Sequence, residues 1–139
     1  MSAARQVAER YFSAVGQGNV DAALATFASD AEFRGPMGRL PVPDGIRAYL
    51  EGYVSSFPGS RFEVMHAVEA GDDVVLEGDW VGTHSGPLPL PDGNMIPPTG
   101  KDVRVPFVTV FHVERDKITA HRGYWDMAGF MGQLGLGQA

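Results

Sequence analysis

The run Trp80-Val81-Gly82-Thr83-His84-Ser85-Gly86, a proline-studded loop, Pro97-Pro98-Thr99-Gly100 and a strand pair closing on Gly123-Tyr124-Trp125-Asp126 decide the fold. Side chains alternate through these segments with a period of two, the signature of half-buried strands. Leu76, Trp80 and His84 share one parity, and Val103, Phe107, Thr109, Phe111 and Val113 make one side of the next strand. A tight turn at Arg115-Asp116 leads into a last strand with Ile118, Ala120, Arg122, Tyr124 and Asp126 on one side. Simple hairpin pairing sets Val113 against Ile118, Phe111 against Ala120 and Phe107 against Tyr124, which predicts Asp126 at the end of an apolar face. A carboxyl group there is poorly hydrated and resists ionisation, so it would trade protons near neutral pH. The segment Phe130 to Gly135 reads as a short final helix.

Upstream the period changes. Val7, Tyr11 and Val15, with Ala8 and Phe12 beside them, recur as on one face of a helix. Asn19 is placed to cap a second, short helix burying Val20, Leu24 and Phe27. Ala31–Arg34 reads as a small strand before Gly35-Pro36. Asp44 is expected to cap the clearest helix, where Ile46, Tyr49, Leu50, Tyr53, Val54 and Phe57 follow the i, i+3, i+4, i+7 spacing until Pro58-Gly59 stops it. Phe62, Val64, His66 and Val68 then share one face of a strand. Helices followed by a long antiparallel meander predict an α+β fold in one domain over residues 1–139, a curved sheet wrapped on helices around a conical pocket.

Composition excludes several classes. An apolar fraction of 44% fits a globular protein, and a formal charge of −6 without a basic stripe argues against nucleic acid or anionic lipid as partner. The chain has no cysteine, which removes disulfides and thiolate chemistry and is compatible with a reducing cytoplasm. No apolar run reaches the roughly 18 residues that a membrane span needs. The histidines lack metal-ligand spacing, and neither a phosphate-cradling glycine motif nor a G-x-S-x-G elbow is present, so no cofactor, metal or covalent step is expected.

The element order, with Gly82-Thr83-His84-Ser85-Gly86, Pro97-Pro98-Thr99-Gly100 and Trp125-Asp126…Gln133-Leu134-Gly135, resembles the SnoaL-like polyketide (ester) cyclases of the nuclear-transport-factor-2-like superfamily. The resemblance implies a cone-shaped α+β barrel, a hydrophobic substrate, no cofactor and an aspartate at the place of Asp126 as general acid/base. It also implies a histidine on the preceding strand, where His112 stands.

Each candidate has a structural alternative. Asp126 reads as the acid/base or as the cap of the last helix, two roles that do not exclude each other. His84, at a strand end on the apolar side, either bonds a substrate oxygen or ties down the following loop. With the Arg115-Asp116 turn, His112 pairs with Thr119 and points away from Asp126, so only a bulge would bring it inward. His66 reads as a core or pocket-wall residue, and His121, opposite Val110, as a surface or interface one. Tyr11, Tyr49, Tyr53, Phe57, Trp80, Phe107, Arg122 and Tyr124 are the expected ligand contacts, although aromatics at helical spacing also make plain core, and Arg122 also reads as the neutraliser of a neighbouring acid. Ser85–Gly100, rich in proline, reads as a lid or mouth or as an arm to a second subunit. Val108, Val110 and His121 suggest a face for homodimer pairing. The leading functional expectation is an intramolecular aldol cyclase acting on a hydrophobic carbonyl compound. The alternatives are a lipophilic-ligand binding or hydroxylase-like protein and a dimeric structural module.

Overall fold

The Ser2 hydroxyl accepts a hydrogen bond from the Arg5 N–H (3.1 Å) and so starts helix α1, Ala3–Gly16. That helix buries Val7, Ala8, Tyr11, Phe12 and Val15 against the sheet, the face its four-residue spacing predicts. Asn19 caps α2, Val20–Leu24, by accepting from the Ala22 N–H (3.0 Å). This computed structural model describes residues 1–90 and 92–136; Pro91 lies outside them.

Strand β1 runs Phe27–Gly35, longer than the expected Ala31–Arg34, and turns back as β2, Gly38–Leu40. Helix α3, Asp44–Ser56, begins one residue earlier than a capping Asp44 allows. Pro43 occupies the cap position without a side-chain bond, and the Pro41 carbonyl accepts from the Gly45 N–H (3.0 Å) instead. Strands β3 (Arg61–Ala70) and β4 (Asp73–Thr83) form a hairpin around Gly71. The proline-rich segment is not structureless: β5, Leu88–Pro89, pairs with β6, Met95–Ile96, and both Leu88 and Ile96 are buried. Strands β7 (Asp102–Glu114) and β8 (Lys117–Trp125) follow, then α4, Met127–Gln133.

The main sheet has six strands in the order β2-β1-β8-β7-β4-β3, antiparallel except where β1 lies parallel to β8. Two bulges shape it. On β3, Val64 pairs with Gly78 and His66 with Glu77, leaving Met65 as the extra residue. A Cβ on Gly78 would land on the Glu63 carbonyl oxygen, so only glycine lets the two backbones approach here. Past the bulge the parity inverts. Val68 is 62% exposed, and His66 turns outward to Glu77 (Nδ1–Oε1 3.0 Å), which corrects its expected place in the core.

On β8 the extra residue is Thr119: Val113 pairs with Ile118, but His112 pairs with Ala120. Phe111 therefore faces His121 and Phe107 faces Trp125, not Ala120 and Tyr124 as simple hairpin pairing has it. One inserted residue exchanges the two faces of the rest of the strand. His121 accordingly leaves the outer face with Val108 and Val110 on which a dimer was expected, and becomes buried.

Two apolar clusters result. The larger joins α1 and α3 to Val74, Leu76, Phe107, Phe111 and Ile118 of the sheet. The smaller gathers Phe57, Leu88, Ile96, Val103, Phe130 and Leu134, so that the 84–101 segment and α4 close one end of the cone. Burying each large side chain contributes about 1.5–3 kcal/mol.

Candidate functional site

Between α1, α3 and the concave face of the sheet lies a cavity of about 90 Å³. Tyr11 and Phe12 reach it from α1, Tyr49 and Tyr53 from α3, and Trp80, Phe107 and Trp125 from the sheet. Among the described residues that line it, none carries a formal charge. The space is smaller than the roughly 150 Å³ that accepts benzene in an engineered protein core. A short chain therefore fits, a single ring enters only if the walls give, and a flat polycycle requires them to move further.

The polar groups of the wall are neutral. Burial pushes the Tyr49 hydroxyl up to about 12, against a weaker opposing effect of its hydrogen bond with Trp125. Burial raises Tyr11 and Tyr53 further, helped in each case by Tyr49. All three stay protonated at neutral pH and remain donors.

The lining also includes Ser60, the indoles of Trp80 and Trp125, and His121. His121 is 6% exposed, stacked on Phe33 (4.2 Å, 7°) and edged by Phe111 (5.2 Å) and Tyr11 (5.5 Å). Burial lowers its pKa to about 4, with backbone hydrogen bonding at His121 itself and at Arg34 acting in the opposite direction. Its Nδ1 has no hydrogen-bond partner. Gly123 is shaped around this ring, because a Cβ there would come within 3.0 Å of His121 Cε1.

The expected catalytic side chains do not meet at this cavity. Asp126 is exposed, and its Oδ1 accepts from the Gly129 N–H (2.8 Å), so it caps α4. His84 is fully buried in the smaller cluster, stacked on Phe57 (5.1 Å). Its Nδ1 accepts from the Thr99 N–H (3.2 Å), and its backbone bonds Lys101 and Gly100, so it staples the loop. His112 faces outward between Asp73 (2.7 Å) and Glu114 (3.2 Å); the Asp73 bond raises its pKa. The bulge at Thr119 moves His121 inward and leaves His112 outside.

Of the expected ligand contacts, Tyr11, Tyr49, Tyr53, Trp80 and Phe107 line the cavity. Phe57 packs instead in the smaller cluster. Arg122 turns outward toward Glu32 (3.7 Å), and Tyr124 is 49% exposed, both displaced by the same bulge. Among the described residues no three metal-ligating side chains converge.

Residues 8–121 match the sequence model of the SnoaL-like domain. The chain belongs to that family. No curated protein sequence matches it. Its backbone superposes on AclR, a proposed hydroxylase from Streptomyces galilaeus, with a TM-score of 0.82 at 18% identity over 98% of this chain and 87% of that one. A proposed SnoaL-like polyketide cyclase from Jannaschia sp. CCS1 gives 0.82 at 21% identity, over 98% and 94%. A Catenulispora acidiphila protein of ketosteroid isomerase-like fold gives 0.76 at 19%, over 94% and 92%. At these identities the likeness is one of fold, the NTF2-like cone.

In this SnoaL-like chain the Gln133-Leu134-Gly135 run fixes the last helix against the sheet. Gln133 Oε1 accepts from the Arg104 N–H (2.7 Å), and its Nε2 donates to the Arg104 carbonyl (2.8 Å), clamping α4 along β7. Leu134 is buried, and Gly135 takes a positive φ of 80° to end the helix. Gln133→Ala should cost about 1–2 kcal/mol, read as a melting point several degrees lower. An unchanged melting point would show that the clamp contributes nothing.

Proposed function

We propose that this SnoaL-like protein binds a compact, neutral, hydrophobic molecule bearing a carbonyl or hydroxyl oxygen inside the cone. One observation carries the reading: an apolar cavity whose lining residues bring only neutral polar groups, three tyrosine hydroxyls, the Ser60 hydroxyl, two indole N–H groups and one imidazole, with no charged side chain in the described wall. A charged ligand entering there would be desolvated without a counter-ion. The chain's two tryptophans, Trp80 and Trp125, both line the cavity and report on it. Acetophenone, a one-ring ketone, should quench their fluorescence saturably. Emission that stays unchanged up to the solubility limit would sink the proposal.

The finer form is aldol cyclisation of such a carbonyl compound, as the family resemblance suggests. A base removes a proton α to one carbonyl, the enolate attacks a second carbonyl of the same molecule, and the resulting alkoxide is reprotonated. Tyrosine hydroxyls held protonated at neutral pH suit the developing oxyanion. The exposure and capping bond of Asp126 weigh against its being the base. Asp126→Asn, which keeps a capping oxygen, should leave stability and acetophenone binding unchanged, whereas Asp126→Ala should cost about 1 kcal/mol. Loss of β-polyketone turnover in Asp126→Asn with binding intact would restore the acid/base role.

A further inference from the structure

Arg39 of β2, Arg34 of β1 and Arg122 of β8 stand side by side across three adjacent strands, for Arg34 pairs with Arg39 on one side and with Arg122 on the other. Phe33, the residue before Arg34, is buried in the larger apolar cluster, so the alternation of the strand sends Arg34 to the opposite, outer face of the sheet. The ion pairs agree with that placement. Glu32, two residues from Arg34 and of the same parity, reaches Arg39 (3.1 Å) and Arg122 (3.7 Å). Among the described residues no carboxylate pairs with Arg34, the middle one, although it is half-buried. Like charges paired directly across strands stand about 5 Å apart and destabilise a sheet. A chain with a formal charge of −6 nevertheless carries three of its eleven basic residues in this one row. Edge protection explains part of it, because charged side chains keep an open edge from pairing with another chain. That accounts for Arg39 on the edge strand β2, but Arg34 and Arg122 lie on strands paired on both sides.

We infer that this row is an anion site on the outer face of the sheet, taking the phosphate group of a small molecule, and that it is separate from the cavity. Three guanidinium groups less one carboxylate leave two positive charges, which a phosphate dianion neutralises. Each guanidinium offers a planar fork of N–H donors that matches two phosphate oxygens, and a charge-assisted pair of this kind is stronger than a neutral one. Arg34 is the central donor and has no carboxylate to give up, whereas Glu32 ties the flanking arginines together. Val110 continues the row beyond Arg122 and brings no charge, so the site ends there.

Inorganic phosphate is the probe, with sodium chloride at the same pH and ionic strength as the reference. In ¹H–¹⁵N spectra of the wild-type protein the side-chain Nε–H signals of Arg34, Arg39 and Arg122 should shift saturably with phosphate and not with chloride, a readout that needs no variant. Arg34→Gln should weaken phosphate binding about ten- to a hundredfold, and Arg34→Lys, which keeps the charge without the fork, should retain part of it. Backbone amide signals that overlay on those of the wild type show that each variant keeps its fold. Shifts of equal size in chloride, or an undiminished phosphate response in Arg34→Gln, would mean that the row is only screened by salt, and would overturn the site. Acetophenone quenching should be the same with and without phosphate, because the cavity lies on the other face of the sheet. The two readings therefore stand or fall separately.

Discussion

Phe57→Ala should cost about 3–5 kcal/mol, although Phe57 is not among the residues that line the cavity. Phe57 ends α3, is 0% exposed, and touches every element that closes the cone at that end. Trp80 meets it edge-on at 4.9 Å, His84 stacks on it at 5.1 Å and Phe130 of α4 lies at 5.6 Å. Alanine leaves a void that these rings, fixed by their own backbones, fill only in part. The effect should reach the 84–101 segment, whose Leu88 and Ile96 share the cluster. Urea unfolding should show a lower midpoint, and amide exchange should quicken first at His84 and Gly100, whose N–H groups bridge the two sides of that segment. A midpoint within 1 kcal/mol of wild type would mean that the cluster repacks and that the segment is held by its backbone bonds alone.

Much of this architecture is legible in the chain. The spacing of Val7, Tyr11 and Val15 and of Ile46, Leu50 and Tyr53 marks α1 and α3 because a helix on a sheet must present one apolar stripe. The alternation from Val103 to Val113 marks β7, and Arg115-Asp116, both at positive φ, marks its hairpin. Register was the part that local pattern does not carry. Thr119 leaves no strong signature, yet it decides whether His121 or Arg122 faces the cavity. The parallel pairing of Phe33 with His121 joins strands remote in sequence and has no local mark at all. One clue was present for the other bulge. Gly78 in the interior of a strand signals close backbone approach, and it places the inversion that turns His66 and Val68 outward. Asp126 shows a different limit, since an aspartate before a helix satisfies the pattern of a cap and of a buried acid equally well, and only exposure separates them.

Mild acid should destabilise the protein through His121. A buried histidine with its pKa lowered to about 4, against 6.5 in the unfolded chain, favours the folded state only while neutral. Its contribution is fully present above about pH 6.5, shrinks as pH falls because the unfolded chain takes up the proton first, and is gone below about pH 4, a total of about 3 kcal/mol. His112 works with the opposite sign. Its raised pKa stabilises the folded state below 6.5 and loses that effect as pH rises through its folded value, but it sits at the surface beside Asp73, where solvent screens the pair. The carboxylates of Glu63 and Glu69, both lowered, surrender their contribution only below about 4.5. Urea unfolding of the wild type and of His121→Phe between pH 7.5 and 5 isolates the histidine, since the other groups are common to both proteins. The wild type should lose stability across that window and the variant should lose far less. Parallel curves would mean that the ring accepts a proton without leaving the core, so that Nδ1 reaches water and the wall of the cavity is wetter than its side chains imply.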